Sequence, residues 1–340
     1  MLQVKRLHTA TSLLFVFAAL LFSPAAAFGQ GYDDSFEMKN KLKIELQYAD
    51  YSEYEYPEPV LFHYGVTPYQ RMQPYIVNFP EKRGLIKFVR LLGDRTAAGI
   101  KYQYTDIKED AKQHFVEGRL TRNLGESVIG LATAQLFRDS RGFSAYQGGV
   151  GGLWDISVLT SIQGDIQYYF RGEEAVPVGG RMGTWNVRLK ARQVLTLSTA
   201  VQAEYVFYDS QGQDIAFRSH TAGIWLSQYL PTETAVHLHF RYYHNTMGIT
   251  SFAPSMEIMQ YIDWATVLSA KFRYYQNESD NVSFGESGVI VPDGLVSRAF
   301  SIQLTREFSN ALLMYAKYRY YDSSLSVRMN TYMLGAVYSF

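Results

Sequence analysis

The segment ALLMYAKYRYYDSS places Leu312, Met314, Ala316, Tyr318 and Tyr320 at every second position, with Tyr315, Lys317, Arg319 and Tyr321 between them. Successive side chains of a β-strand point to opposite faces, so this stretch reads as a strand with one apolar face and one charged face. The same split separates Val236, Leu238, Phe240 and Tyr242 from His237, His239, Arg241 and Tyr243. It separates Leu268, Ala270, Phe272 and Tyr274 from Lys271, Arg273 and Tyr275. All three stretches carry an aromatic residue, Arg and a tyrosine pair, followed by a polar break.

Less uniform versions of the unit lie upstream, at KLKIELQYAD, AAGIKYQYTD, IQGDIQYYFRG and VQAEYVFYDS. Simpler alternating stretches fall between them, at 85–92, 114–121, 128–137, 145–154, 184–192, 217–228, 256–264, 298–308 and 327–340. Together they make about 16 strands of roughly ten residues, the length at which a tilted strand crosses a bilayer. The connections alternate too. Segments 53–83, 138–143, 171–182, 245–254 and 278–296 are long or polar, whereas LLGDRT, RNLGES, LPTETA, WATV and FSNA are short. The expectation is an all-β, antiparallel, up-and-down transmembrane barrel of about 16 strands (14–18) over residues 41–340, since such barrels carry short turns on one side and longer loops on the other. Tyr242, Tyr274, Tyr320, Tyr168 and Phe207 then form an aromatic girdle at one membrane interface.

The N-terminus supports export. Lys5 and Arg6 precede the apolar run LLFVFAALLF and then SPAAAFGQ, the pattern of a secretory signal cleaved after Ala27 or Gly29. Residues 28–40 would be a periplasmic lead-in. With no cysteine, disulfides, thiolate metal sites and thiol catalysis are excluded. Lys plus Arg and Asp plus Glu both number 32, so net charge points to no partner class. The chain shows no nucleic-acid signature and no Gly-rich phosphate loop.

The chain ends in YMLGAVYSF, with Tyr338 two residues before Phe340 and Gly335 three before that. This resembles the β-signal of Gram-negative outer-membrane proteins, with Met333 where a polar residue is usual. The resemblance implies recognition of Gly335, Tyr338 and Phe340 by the barrel-assembly machinery. It also implies a bacterial outer-membrane location, among lipid and lipopolysaccharide. The RYY strand ends look like those of poorly characterised outer-membrane barrel families.

On the lumen face the alternation places Arg188, Lys190, Arg192, Arg241, Lys271, Arg273, Lys317 and Arg319, a basic excess over acids such as Glu45, Asp165 and Glu204. A basic channel wall concentrates anions, although such charges can equally pair across strands. His237 and His239 share that face, where a hydrogen-bonded pair is the commoner reading than a metal site. No Ser–His–acid motif is recognisable, so no catalytic residue and no cofactor is assigned. Gln147–Gly152, QGGVGG, reads as a close approach of strands. The expected function is a porin-like channel for passive passage or export of polar, possibly anionic solutes. The alternative is a non-catalytic scaffold or sheath for a periplasmic partner in electron transfer or polysaccharide export. A lipid-acting barrel enzyme is a weaker third.

Overall fold

A computed structural model describes residues 36, 38–52, 80–107, 111–140, 144–171, 182–211, 216–246, 248–279, 283–284, 289–290, 294–324 and 328–340. The expected signal segment and most of the proline-rich loop expected at 53–83 lie outside them. The first half of the chain forms β1 (Lys41–Ser52), β2 (Pro80–Leu91), β3 (Thr96–Ile107), β4 (Ala111–Asn123) and β5 (Val128–Asp139). It continues with β6 (Ser144–Ser157), β7 (Thr160–Arg171), β8 (Met182–Thr196) and β9 (Thr199–Gln211). The second half adds β10 (Ala216–Leu230), β11 (Thr234–Asn245), β12 (Ile249–Phe252), β13 (Ser255–Tyr261) and β14 (Thr266–Ser279). A two-stranded hairpin of β15 (Ser283–Phe284) and β16 (Val289–Ile290) stands apart from the main sheet. The chain ends with β17 (Val296–Ser309), β18 (Leu312–Ser323) and β19 (Arg328–Ser339).

Every wall strand pairs antiparallel with its neighbours, and β1 pairs with β19, which closes the sheet into a barrel. The segments β12 and β13 are one strand. Both keep the same register against β11 and against β14, and only Ala253 and Pro254 lie between them. Pro254 has no N–H to donate, so the ladder skips there without slipping. Counted this way the wall has 16 strands, as the alternation requires. Many strands are longer than the sequence suggests, most clearly where expected loops are paired. β2 begins at Pro80, β14 runs to Ser279, and the expected loop 245–254 contains β12. At each place polar residues sit inside a ladder, because backbone hydrogen bonding continues beyond the last apolar side chain.

The two faces fall where the alternation puts them. Leu46, Ile100, Val150, Ile166, Leu189, Phe240, Leu304 and Leu334 are exposed on the outside. In water so continuous an apolar surface would be an aggregation site; in a bilayer it is the lipid-facing band. The chain is a transmembrane barrel of the outer-membrane type. On the inner wall near the short turns, Phe36 is buried against Leu131 and Leu153. Asn40 Oδ1 accepts from the backbone N–H of Leu91 at 2.7 Å, fixing the entry of the chain into β1.

The register also explains the repeated phrase. Arg273 lies opposite Ala299, and Ala299 opposite Tyr321, two residues beyond Arg319. The ladder thus climbs two residues for each pair of strands, the stagger that tilt imposes on a closed barrel. Arg241, Arg273 and Arg319 therefore share one depth. The first tyrosine of each pair, at Tyr242, Tyr274 and Tyr320, is on the lipid side of its strand, and Tyr242 is exposed there. The second, at Tyr243, Tyr275 and Tyr321, is buried on the inner wall. A tyrosine pair at a strand end serves both faces of the wall at once.

Candidate functional site

The basic residues of the inner wall separate into two groups. On β8, Arg188 Nε meets Asp165 Oδ2 of β7 at 2.7 Å, and Lys190 Nζ lies 3.9 Å from Glu204 Oε1 of β9. Arg192 stands opposite Ser161 on one side and Gln202 on the other. Gly151 of QGGVGG makes room for this arrangement. A Cβ on Gly151 would lie 2.8 Å from Asp165 Cβ and 2.9 Å from the Gly164 carbonyl oxygen. Asp165 is thus pressed against a bare backbone and held for Arg188. On β8 the wall is substantially neutralised by carboxylates of its neighbours.

The second group gathers around a cavity of about 330 Å³ on the inner wall. Arg241 of β11, Arg273 of β14 and Arg319 of β18 form one tier. His239, Lys271 and Lys317, two residues earlier on the same strands, form the next tier toward the short turns. All six line the cavity. The intervening strands supply small side chains there: Ser251, Ala253 and Ser255 before β14, and Ala299 and Ser301 on β17. Long basic side chains on alternate strands, with small residues between them, leave open volume bounded by cations. Glu257 of β13 approaches from the edge, its Oε2 3.6 Å from Lys271 Nζ. No carboxylate lines the cavity among the described residues.

One wall of the cavity is aromatic. The rings of Trp225 and His239 stack in parallel, with centroids 3.8 Å apart and planes within 5°. Gly223 permits this, since a Cβ there would lie 3.2 Å from Trp225 Cζ3 and 3.3 Å from His239 Nε2. Below the stack, His237 Nδ1 shares a hydrogen bond of 2.8 Å with Ser227 Oγ. The two histidines expected as a pair are therefore engaged separately, one by an indole and one by a hydroxyl. Among the described residues no group of three His, Asp or Glu is placed to hold a metal.

The outer girdle also contains two histidines, each hydrogen-bonded to a tyrosine. Tyr205 Oη and His220 Nδ1 are 2.7 Å apart, and Tyr102 Oη and His114 Nδ1 are 2.9 Å apart. Tyr168 of the girdle packs on Trp185, with centroids 4.7 Å apart. Of the residues expected to form a C-terminal signal, Tyr338 and Phe340 lie on the lipid face, their rings stacked at 5.9 Å, and Phe340 also stacks on Phe88. Gly335 is on the other face, buried under Tyr315.

Sequence comparison adds no family. No protein-family model and no curated protein matches the chain. Among solved structures, the fold is similar to a bacterial polysaccharide outer membrane secretin, with a TM-score of 0.59 and 9% identity over 89% of this chain and 100% of that one. Weaker likenesses are to OpdK of Pseudomonas aeruginosa with vanillate (TM-score 0.48, 6% identity, 88% of this chain and 98% of that chain). Another is to a loop-deletion form of OmpT of Vibrio cholerae (0.47, 10%, 89% and 100%). The first of these supports the barrel fold.

Proposed function

We propose that the barrel is a passive outer-membrane channel whose lumen favours anionic polar solutes. The observation that carries this reading is the placement of Arg241, Arg273 and Arg319 at one depth on a stretch of inner wall that Lys271 and Lys317 also line. A 16-stranded barrel is wide enough for an aqueous lumen. Cations on a low-dielectric wall raise the local concentration of anions and lower that of cations, an effect screened over about 8–10 Å at physiological salt. The reading includes no chemical step and no cofactor. Lipid and lipopolysaccharide surround the girdle, and the barrel-assembly machinery inserts the chain.

The test is a planar-bilayer recording of the purified protein under a KCl gradient. The reversal potential should lie on the anion-selective side and move toward zero as salt rises. Arg241→Gln with Arg273→Gln should shift it toward cation preference. Absence of conductance would leave the barrel as a scaffold for a periplasmic partner.

A further inference from the structure

We infer that the two-tier cavity is a binding site for a small solute carrying at least two oxyanion groups, and not only a diffuse positive wall. The inference rests on the channel reading for its access route, but the site itself stands on geometry.

Three features give it that character. First, the cations are arranged in tiers. Residues two apart on a strand are roughly 6.6–6.8 Å apart, and alternate strands roughly 9.5 Å. Arg241, Arg273 and Arg319 therefore present three guanidinium forks at one depth, with Lys271 and Lys317 a short step away. A monovalent ion reaches one tier, whereas a solute with two separated oxyanions reaches both. Second, the guanidinium fork matches the two oxygens of a carboxylate or phosphate, while an ammonium acts as a point charge. The arginine tier fixes orientation and the lysine tier adds charge. Third, the cavity is bounded and partly apolar. Its volume of about 330 Å³ falls at the lower end of the roughly 300–1,000 Å³ range of small-molecule pockets. The Trp225–His239 stack and the ring of Tyr275 provide wall against which the carbon skeleton of an organic anion can rest. A site shaped only to attract chloride requires none of these.

The chemistry shared by the candidate ligands is two or more oxyanions within one small molecule. Polycarboxylates and phosphate esters both satisfy it, so the probes are citrate and inorganic pyrophosphate, with acetate as the monovalent control. Current through the full-length reconstituted barrel in KCl should be blocked saturably by citrate, pyrophosphate or both, and not by acetate at equal charge concentration. Arg273→Gln with Arg319→Gln should raise the blocking concentration by at least about 10-fold, as expected for loss of charge-assisted hydrogen bonds. Lys101→Gln, on β3 and away from the cavity, should leave it within about twofold. Equal block of wild type and the double variant, or equal block by acetate, would overturn the site. Heat-modifiable migration on a detergent gel shows whether each variant folds. Calorimetric titration of wild-type barrel in detergent with each probe gives a readout independent of the variants, and absence of saturable heat with both overturns the proposal. Saturable binding without conductance would retain the site and remove the channel. Conductance without block or binding would do the reverse.

Discussion

The ring of Tyr315 occupies the space that a side chain at position 335 would need, so Gly335 is the one residue type that fits beneath it. The consequence reaches across the seam of the barrel. Tyr315 on β18 lies opposite Gly335 on β19, and Gly335 lies opposite Glu45 on β1. By crossing the glycine, the tyrosine hydroxyl donates to Glu45 Oε2, which also holds Lys43 Nζ at 3.0 Å. The glycine expected to belong to a C-terminal assembly signal has a role in the folded barrel: it lets three strands be tied together where the first meets the last.

The prediction concerns coupling. Gly335→Ala should destabilise the folded barrel by about 1–3 kcal/mol, the usual cost of overpacking. In a Tyr315→Ala background the same substitution should cost much less, because the clash is gone and residues in contact are not additive. Folded fractions from heat-modifiable gel migration, taken across a urea series for all four proteins, measure this. An additive cycle would show that Gly335 matters to assembly alone.

Asp165 and Arg188 form a pair in which the acid is nearly fully buried. Removing one partner of a buried ion pair is strongly destabilising, with a typical cost of about 3–5 kcal/mol. Arg188→Gln should therefore destabilise the barrel far more than Lys190→Gln, whose partner Glu204 is farther away and more exposed. Asp165→Asn removes a lumen carboxylate and should strengthen anion preference. Urea unfolding and reversal potentials separate these outcomes, and equal stability of the Arg188 and Lys190 variants would contradict the pairing.

How much of this was legible beforehand follows from which interactions are local. The alternation of Leu238, Phe240 and Tyr242 against His239 and Arg241 fixes a face for every residue, and one bilayer crossing per unit fixes the strand number. The three arginines were visible for the same reason, because they occupy the same place in one repeated phrase. What the phrase does not contain is the pairing between strands. Ser255 and Ala299 look unremarkable in sequence, yet they flank Arg273 in the ladder and open the cavity around it. The Trp225–His239 stack and the Ser227–His237 hydrogen bond are cross-strand neighbours whose contact depends on register. Pro254 misleads in the opposite direction: it signals a loop, but on this strand it removes one donor and leaves the register intact.

Asp263 lies in the short turn between β13 and β14, outside the membrane-spanning strands. Its Oδ1 accepts the backbone N–H of Ala265 at 2.7 Å. That hydrogen bond, helped by Thr266 and Arg306, holds its carboxyl below the ordinary aspartate range. A carboxylate whose folded pKa is depressed contributes stability above its unfolded pKa and loses it as pH falls through the folded value. Between about pH 5 and pH 3, wild type should lose more stability than Asp263→Asn, which keeps an acceptor without a charge. Urea midpoints at the two pH values test this, and parallel shifts would remove the turn from the acid response.

Phe240 lies near the middle of β11 and is exposed on the lipid side. Lys271, on β14, faces the lumen and is also well exposed there. The two are equally accessible, but the solvent that reaches them differs. Phe240→Arg places a charge in the lipid-facing band just inside the Tyr242 girdle, costing roughly 1–3 kcal/mol, between the interface and midplane values. Lys271→Arg keeps a cation in water and should change stability by no more than about 0.5 kcal/mol. Unfolding in liposomes by urea would compare them directly. A one-residue slip of β11 would exchange its faces, so a neutral Phe240→Arg would place that residue in the lumen. The arginine tier would then move to the lipid side, and the channel reading would fail with it.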